Sequence, residues 1–153
     1  MKFLLTNLFA FVLLGTLGVA CQAHESGEIK VETLVKSTTA WDKQPLPPYP
    51  AGTTEITILK ILVPKGAKIP PHYHSVINAG VLLKGELTVS MPDGKSVKLK
   101  SGDALVEVVN KPHWGTNTGD VDAEIIVFYA GIKGQTFTHH LPQTKEQTKN
   151  TAD

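Results

Sequence analysis

The sequence predicts an all-β protein, folded as a sandwich or a small barrel. Three observations indicate this class. Short segments rich in Val, Ile, Leu and Thr follow one another from residue 28 to residue 138; Gly, Pro, Asp and Asn separate them at intervals of roughly ten residues; and no stretch shows a helical period. Many short, evenly spaced strands are typical of closed β structures, in which alternate side chains point into an interior.

The clearest predicted strands are segments in which apolar and β-branched residues dominate. They comprise residues 55–62, 86–90, 96–99, 104–109 and 124–129. Residues 91–94, Met-Pro-Asp-Gly, separate two of these strands and suit a tight turn, because proline presets φ and Gly94 accepts a positive φ. We therefore expect the strands on either side of this turn to pair as an antiparallel hairpin.

The N-terminus has the features of a secretory signal. A positive charge at Lys2 is followed by an apolar run over residues 3–20 that ends in small residues. A single anchoring helix is the alternative, although the apolar run is short for a span and contains glycines. We expect residues 1–20 to be removed and the mature protein to lie in the periplasm or cell envelope.

The only cysteine, Cys21, follows this segment directly. It lies where a lipoprotein signal places its lipidated residue, but ordinary cleavage nearby fits the sequence equally well. We therefore expect the mature protein to be attached to a membrane only if Cys21 carries a lipid. No disulfide can form within the chain, so a packed core has to stabilise the fold.

The length and composition fit one domain and exclude a nucleic-acid partner. Removing residues 1–20 takes away one lysine and leaves a formal charge of zero. The sequence contains no arginine, the usual bidentate reader of phosphate and guanine. We expect four parts: a signal peptide over residues 1–20, an N-terminal arm with a first strand over 21–53, a barrel over 54–140 and a disordered tail over 141–153.

Two histidines, one residue apart, mark the candidate site. In a strand, His72, His74 and Asn78 project from the same face. If that face is the barrel interior, burial disfavours charged imidazoles and suits neutral ones that donate lone pairs to a divalent metal. A surface strand with two solvated histidines is the alternative that the pair alone leaves open.

The spacing around this pair resembles the two sequence motifs of the cupin superfamily. The first motif consists of glycine, five residues, HxH, three or four residues, glutamate, six residues and glycine. Residues 66–85, GAKIPPHYHSVINAGVLLKG, resemble it, with Asn78 at the glutamate position. The second resembles GDALVEVVNKPHWGTN at 102–117, which contains His113 and Asn117, although Val108 and Asn110 replace its proline and glycine. The resemblance extends over most of the mature chain.

This resemblance implies a double-stranded β-helix, or jelly-roll, barrel. It also implies a divalent transition metal (Fe, Mn, Zn or Ni) held by His72, His74 and His113. The fourth ligand does not carry over cleanly, because an Asn78 amide oxygen binds a divalent cation more weakly than a carboxylate. Strand parity places Glu107 on the same side as Leu105, and the resemblance implies that this side faces the cavity, whereas a solvated position on the barrel exterior is the alternative. Because a buried carboxylate needs a partner, Glu107 is our candidate replacement ligand or catalytic acid–base.

We expect an exported metal-binding cupin that acts on a small anionic or oxygenated molecule. The resemblance implies dioxygenase, decarboxylase or isomerase chemistry without choosing among them. A noncatalytic protein that binds a small molecule or metal is the alternative, and Asn78 in place of glutamate favours it slightly. The alternating apolar residues of 56–63 exceed what one barrel interior requires, so we also expect a homodimer.

Overall fold

The computed structural model describes residues 27–142, which form nine strands. Every strand pairing between them is antiparallel, and this part of the chain contains no helix, so the all-β prediction is confirmed. The strands are β1 (Thr54–Val63), β2 (His72–His74), β3 (Ile77–Lys84), β4 (Glu86–Ser90), β5 (Ser96–Lys100), β6 (Ala104–Val106), β7 (Trp114–Thr116), β8 (Ala123–Ile132) and β9 (Thr138–His140).

The strands form three sheets whose order differs from their order in the chain. The largest sheet has the order β1-β8-β3-β6, the second β5-β4-β7, and β2 pairs with β9. Strands adjacent in the chain therefore often lie in different sheets, as in a jelly roll, and the two ends of the barrel domain meet where β1 pairs with β8 along its whole length. The architecture agrees with the jelly-roll expectation.

The barrel interior is filled by alternate residues of the long strands. In β8, Ala123, Ile125, Val127 and Tyr129 are buried, whereas Ile126 and Phe128 between them face outward and are more exposed. This alternation places one row of side chains in the core and leaves the other row on the outer face. Leu82 of β3 is completely buried in the same core.

Two glycine turns fix how the strands connect. The predicted hairpin is present: β4 pairs with β5 from Glu86 with Lys100 to Ser90 with Ser96, and Gly94 in the turn has a φ of 84°. Gly85 connects β3 to β4 with a φ of 78°, and a Cβ there would lie 2.9 Å from the Ala123 Cα. Only glycine fits both this backbone conformation and this close approach.

Residues 32–53, which precede β1, pack on the barrel without adding a strand. From residue 27 to residue 53 the chain makes a single isolated bridge, Thr39 with Pro45, so the first strand expected there does not form. The prolines at 45, 47, 48 and 50, which lack the N–H that a sheet ladder needs, disfavour a strand in the last part of this segment. The Trp41 amide bonds to the Val106 carbonyl, and the Asp42 carboxylate pairs with Lys111, so the segment is attached beside the end of β6.

The remaining predictions about the chain ends fall largely outside the described residues. The expected signal peptide over residues 1–20 and Cys21 lie outside them, as does the expected disordered tail from residue 143 onward. Residues 27–31 are exposed and form no strand. Within the described range of 27–142, no helix has the length and apolarity to cross a membrane.

Candidate metal centre

Three buried histidines meet at one end of the barrel. His72 and His74 lie on β2, and His113 lies directly before β7. A backbone bridge joins the two segments, because the His72 amide donates to the His113 carbonyl and the His113 amide donates to the His72 carbonyl at 3.0 and 2.9 Å. One candidate ligand nitrogen from each ring lies within 4.8 Å of the other two. The structure thus brings together the histidines of both sequence motifs.

Each ring is oriented by a hydrogen bond from its outer nitrogen. The Nδ1 atoms of His72 and His113 lie 2.7 and 2.9 Å from the carbonyl oxygens of Pro70 and Lys111. A carbonyl only accepts hydrogen bonds, so Nδ1 carries the proton and Nε2 keeps its lone pair. His74 Nδ1 has the same kind of support, 3.3 Å from the Phe137 carbonyl and 3.1 Å from Thr138 Oγ1. Three Nε2 lone pairs therefore face the cavity.

Burial keeps these imidazoles neutral. Removal from water lowers the pKa of each of the three histidines, and nearby imidazoles add to this effect at His72 and His74. The pKa of His74 falls to about 3. Neutral imidazoles with oriented lone pairs are the form that binds a transition metal, and a hydrogen bond from the second ring nitrogen is the usual support of such a ligand.

Asn78 and Glu107 each add an oxygen atom that has no hydrogen-bond partner within residues 27–142. The Asn78 side chain is completely buried, and its Oδ1 accepts no hydrogen bond. Glu107 Oε2 is also buried without a hydrogen bond and lies 3.3 Å from His113 Nε2. Glu107 and Leu105 both line the cavity, on the side that strand parity predicts. A buried oxygen without a donor is costly unless a cation or a ligand completes it.

Burial also perturbs the two acids closest to the histidines. It raises the pKa of Glu107 to about 7, and the Val108 amide and the Trp41 indole oppose that rise. Burial and then the charge of Glu107 raise the pKa of Tyr129 to about 12. Glu107 can therefore hold or release a proton near neutral pH, while the Tyr129 hydroxyl stays protonated and able to donate.

The donor set fits a divalent transition metal. Three convergent neutral imidazoles are typical ligands of Zn and of other first-row metals. The free oxygens of Asn78 and Glu107 face the same cavity as the three rings. In the absence of a cation, His113 Nε2 and an ionised Glu107 would be two acceptors facing each other across 3.3 Å, which is unfavourable.

Some cavity residues were not singled out from the sequence. Tyr129 continues the inward row of β8, so the alternation in that strand was a usable signal. Thr138 and His140 lie on β9, which pairs with β2 so that His140 is opposite His72 and their ring centroids are 6.2 Å apart. That three-residue strand has no sequence pattern of its own, so neither residue was a candidate from the sequence.

Asn117 of the second motif has a structural role instead. Its amide nitrogen donates to the carbonyls of Val63 and Val121, and its oxygen accepts from the Gly119 amide. These bonds satisfy the side chain and fix the turn that follows β7. Asn117 is therefore not available as a metal ligand.

The sequence profile of the Cupin domain family matches residues 59–129. That match contains all three histidines together with Asn78 and Glu107. Residues 59–129 thus form a cupin domain. Known structures agree on the cupin fold: a cupin-like protein from Thermotoga maritima is 17% identical over 65% of this chain and 85% of its own, with a TM-score of 0.50.

Enzymes occur among the other structures similar to this cupin. The DMSP lyase DddQ from Ruegeria pomeroyi is 23% identical over 59% of this chain and 45% of that protein, with a TM-score of 0.51. An oxalate oxidase in complex with the substrate analogue glycolate is 24% identical over 48% of this chain and 41% of that protein, with a TM-score of 0.44. No curated protein matches the sequence significantly.

Proposed function

We propose that this cupin is a metal-dependent enzyme that acts on a small oxygenated substrate inside the barrel. The observation that carries the proposal is the convergence of three neutral imidazoles on a cavity that also contains Glu107, an acid with a pKa of about 7. His72, His74 and His113 would hold the metal, and Asn78 or Glu107 would complete its surroundings. The ion would supply a Lewis acid that polarises an oxygen-bearing group.

The protein's own groups then divide the remaining work. Glu107 would accept a proton from the substrate and return it at the same carboxylate oxygen, since its pKa lies near neutral pH. The Tyr129 hydroxyl would donate a hydrogen bond to an oxygen of the substrate. The apolar walls would exclude water from these groups and strengthen both interactions.

A noncatalytic binding protein is the second candidate. Asn78, a neutral residue at the position where the family motif has a glutamate, favours it, because a weaker ligand set suits capture and release of a metal or ligand. The Glu107 pKa of about 7 favours the enzyme instead, because it suits proton transfer near neutral pH, which binding alone does not require.

Turnover measurements distinguish the two candidates. Samples of the protein loaded separately with Fe²⁺, Mn²⁺, Ni²⁺ or Zn²⁺ are incubated with a panel of small carboxylic acids and enediols, and substrate loss and oxygen uptake are followed. The proposal predicts turnover with at least one metal, reduced strongly in Glu107→Gln. Ligand binding without turnover for every metal would instead support the binding protein.

Export is part of the proposal and is supported by the sequence alone. The charged start and apolar run of residues 1–20 support a signal peptide, with the periplasm or cell envelope as destination. Mass spectrometry of the native protein gives its first residue. A start at Cys21 with acyl mass indicates a lipoprotein, an unmodified start near it indicates a soluble form, and an intact Met1 would contradict export.

A further inference from the structure

The cavity is divided into a polar end and an apolar end. It encloses about 360 Å³. On β3, on β8 and on the chain around the end of β6, a polar residue lies at the histidine end. Two positions from it, toward the other end of the cavity, lies a residue without polar side-chain atoms. These pairs are Asn78 and Gly80, Glu107 and Leu105, and Tyr129 and Val127.

The far end of the cavity is formed by hydrocarbon from five strands and one loop. Its side chains come from β1, β4, β6 and β8 and from the loop before β2, and they comprise Leu59, Ile61, Ile69, Leu87, Val89, Leu105, Ile125 and Val127. Gly115 of β7 completes this wall, and a Cβ there would lie 3.0 Å from Ile69 Cδ1. A site that held only a metal and a small anion would have no use for so much open apolar surface.

The charges around the cavity limit what the substrate can carry. Among residues 27–142 no lysine lines the cavity, and the sequence has no arginine. A carboxylate at the far end of a longer ligand would therefore enter the apolar end without a cationic partner, and burial of an unpaired charge is strongly unfavourable. The cavity thus accepts one polar head group, at the histidine end only.

The volume sets the size of the apolar part. Apolar cavities of roughly 150 Å³ hold a benzene molecule. The cavity here is more than twice as large, so a head group at the histidines leaves room for about one six-carbon ring or chain. Its mouth lies beside β9, where His140 both lines the cavity and is exposed.

We propose that the substrate is an amphipathic molecule with a single oxygen-bearing head, such as a monocarboxylate, and a hydrocarbon body of about six carbons, rather than a molecule with a charged group at each end. This inference rests on the proposed metal site for the head group. The apolar end would bind the hydrocarbon body without the metal, so binding of the head group and binding of the body can be tested separately.

Binding of a homologous series tests the substrate class. Zinc-loaded protein is titrated with acetate, butyrate, hexanoate and adipate by calorimetry. Burial of each methylene strengthens binding by about fourfold. We expect hexanoate to bind at least tenfold more tightly than acetate, and adipate, whose second carboxylate would enter the apolar end, no more tightly than acetate. Equal affinity for acetate and hexanoate, or an affinity for adipate as high as that for hexanoate, would overturn the proposal.

A matched pair of variants locates the hydrocarbon body. Val127→Thr places a hydroxyl in the apolar end with little change of shape, and Val97→Thr makes the same change at a core position of β5 that does not line the cavity. We expect the first to weaken hexanoate severalfold with acetate unchanged, and the second to leave both unchanged. Ile125→Val, which removes one methylene at the same end, replaces Val127→Thr if the latter does not fold. If hexanoate binding is weakened in neither cavity variant, this location is refuted.

Uncharged ligands separate this inference from the metal site. Metal-free protein is titrated with hexan-1-ol and with ethanol, neither of which needs a metal. If zinc does not bind, the proposed function fails, but tighter binding of hexan-1-ol would still support the apolar end. If zinc binds and neither hexanoate nor hexan-1-ol gains from its longer chain, the proposed function stands and the substrate class is wrong.

Discussion

Replacement of Glu107 by glutamine is expected to stabilise the metal-free protein and at the same time to weaken metal binding. The Glu107 side chain is only 12% exposed, and burial raises its pKa from an ordinary value near 4.5 to about 7. The folded state thus holds this proton more tightly than the unfolded chain. The contribution of this bound proton to the free energy of unfolding is complete below about pH 4.5 and is lost as the pH rises through about 7.

The size of this effect follows from the pKa difference. A difference of about 2.5 units corresponds to about 3 kcal/mol, with each unit contributing roughly 1.4 kcal/mol. Glu107→Gln removes the titration while keeping the shape, and the new amide can donate to the lone pair of His113 Nε2. The free energy of unfolding of the variant minus that of the wild type should therefore be about 3 kcal/mol larger at about pH 8 than at about pH 4.

Urea unfolding in the presence of a chelator, repeated across this pH range, measures the difference. The histidines of the cluster titrate in both proteins, so their contribution largely cancels in the comparison. Metal titration of the same two proteins should show that the variant binds metal about 10- to 100-fold more weakly than the wild type. A stability difference that does not change with pH would mean that Glu107 is solvated, and unchanged metal affinity would place its carboxylate away from the ion.

Three further substitutions test other parts of the account. Asn78→Glu restores a carboxylate on the histidine face and should tighten zinc binding at least tenfold in a competition titration; weaker binding would mean that Asn78 is no neighbour of the ion. His140→Ala should weaken hexanoate binding to the zinc-loaded protein severalfold. The His139 ring stacks on Tyr73 away from the cavity, so His139→Ala should leave this binding unchanged. Equal effects of the two variants would contradict the assignment of the cavity mouth. Ile58 of β1 is 63% exposed on an outer face with other apolar residues, so we propose that this face forms a homodimer. Ile58→Lys should then give a monomer by light scattering at micromolar concentration, and a wild-type protein that is itself monomeric would refute the dimer.

The strands and their inward faces were largely predictable, because local sequence determines them. The predicted segments 55–62 and 124–129 correspond to β1 and β8, and the proline–glycine turn at 91–94 identified the hairpin between β4 and β5. Prediction extended the strand after Gly102 to residue 109, whereas β6 ends at Val106. The chain leaves the sheet there and runs toward the positive φ of Asn110, so that Glu107 and His113 face the cavity from a loop.

The site was predictable where its spacing is local and was missed where it depends on long-range pairing. His72 and His74 share a face of one strand, and the second motif supplied His113. The role of β9 follows only from its pairing with β2, about 65 residues earlier in the chain. That pairing supplies the Phe137 carbonyl that orients His74 and places His140 opposite His72, and neither contact has a signal in the local sequence.

Metal content is the most direct test of the central claim, that His72, His74 and His113 form one metal site. Wild-type protein, a His72→Ala/His74→Ala double variant and a His139→Ala control are purified without added metal and analysed by inductively coupled plasma mass spectrometry. The account predicts close to one equivalent of a divalent transition metal in the wild type and in the control, and almost none in the double variant. Equal metal content in all three proteins, or its absence from a wild type that also fails to take up Fe²⁺, Mn²⁺, Ni²⁺ or Zn²⁺ in titration, would contradict it.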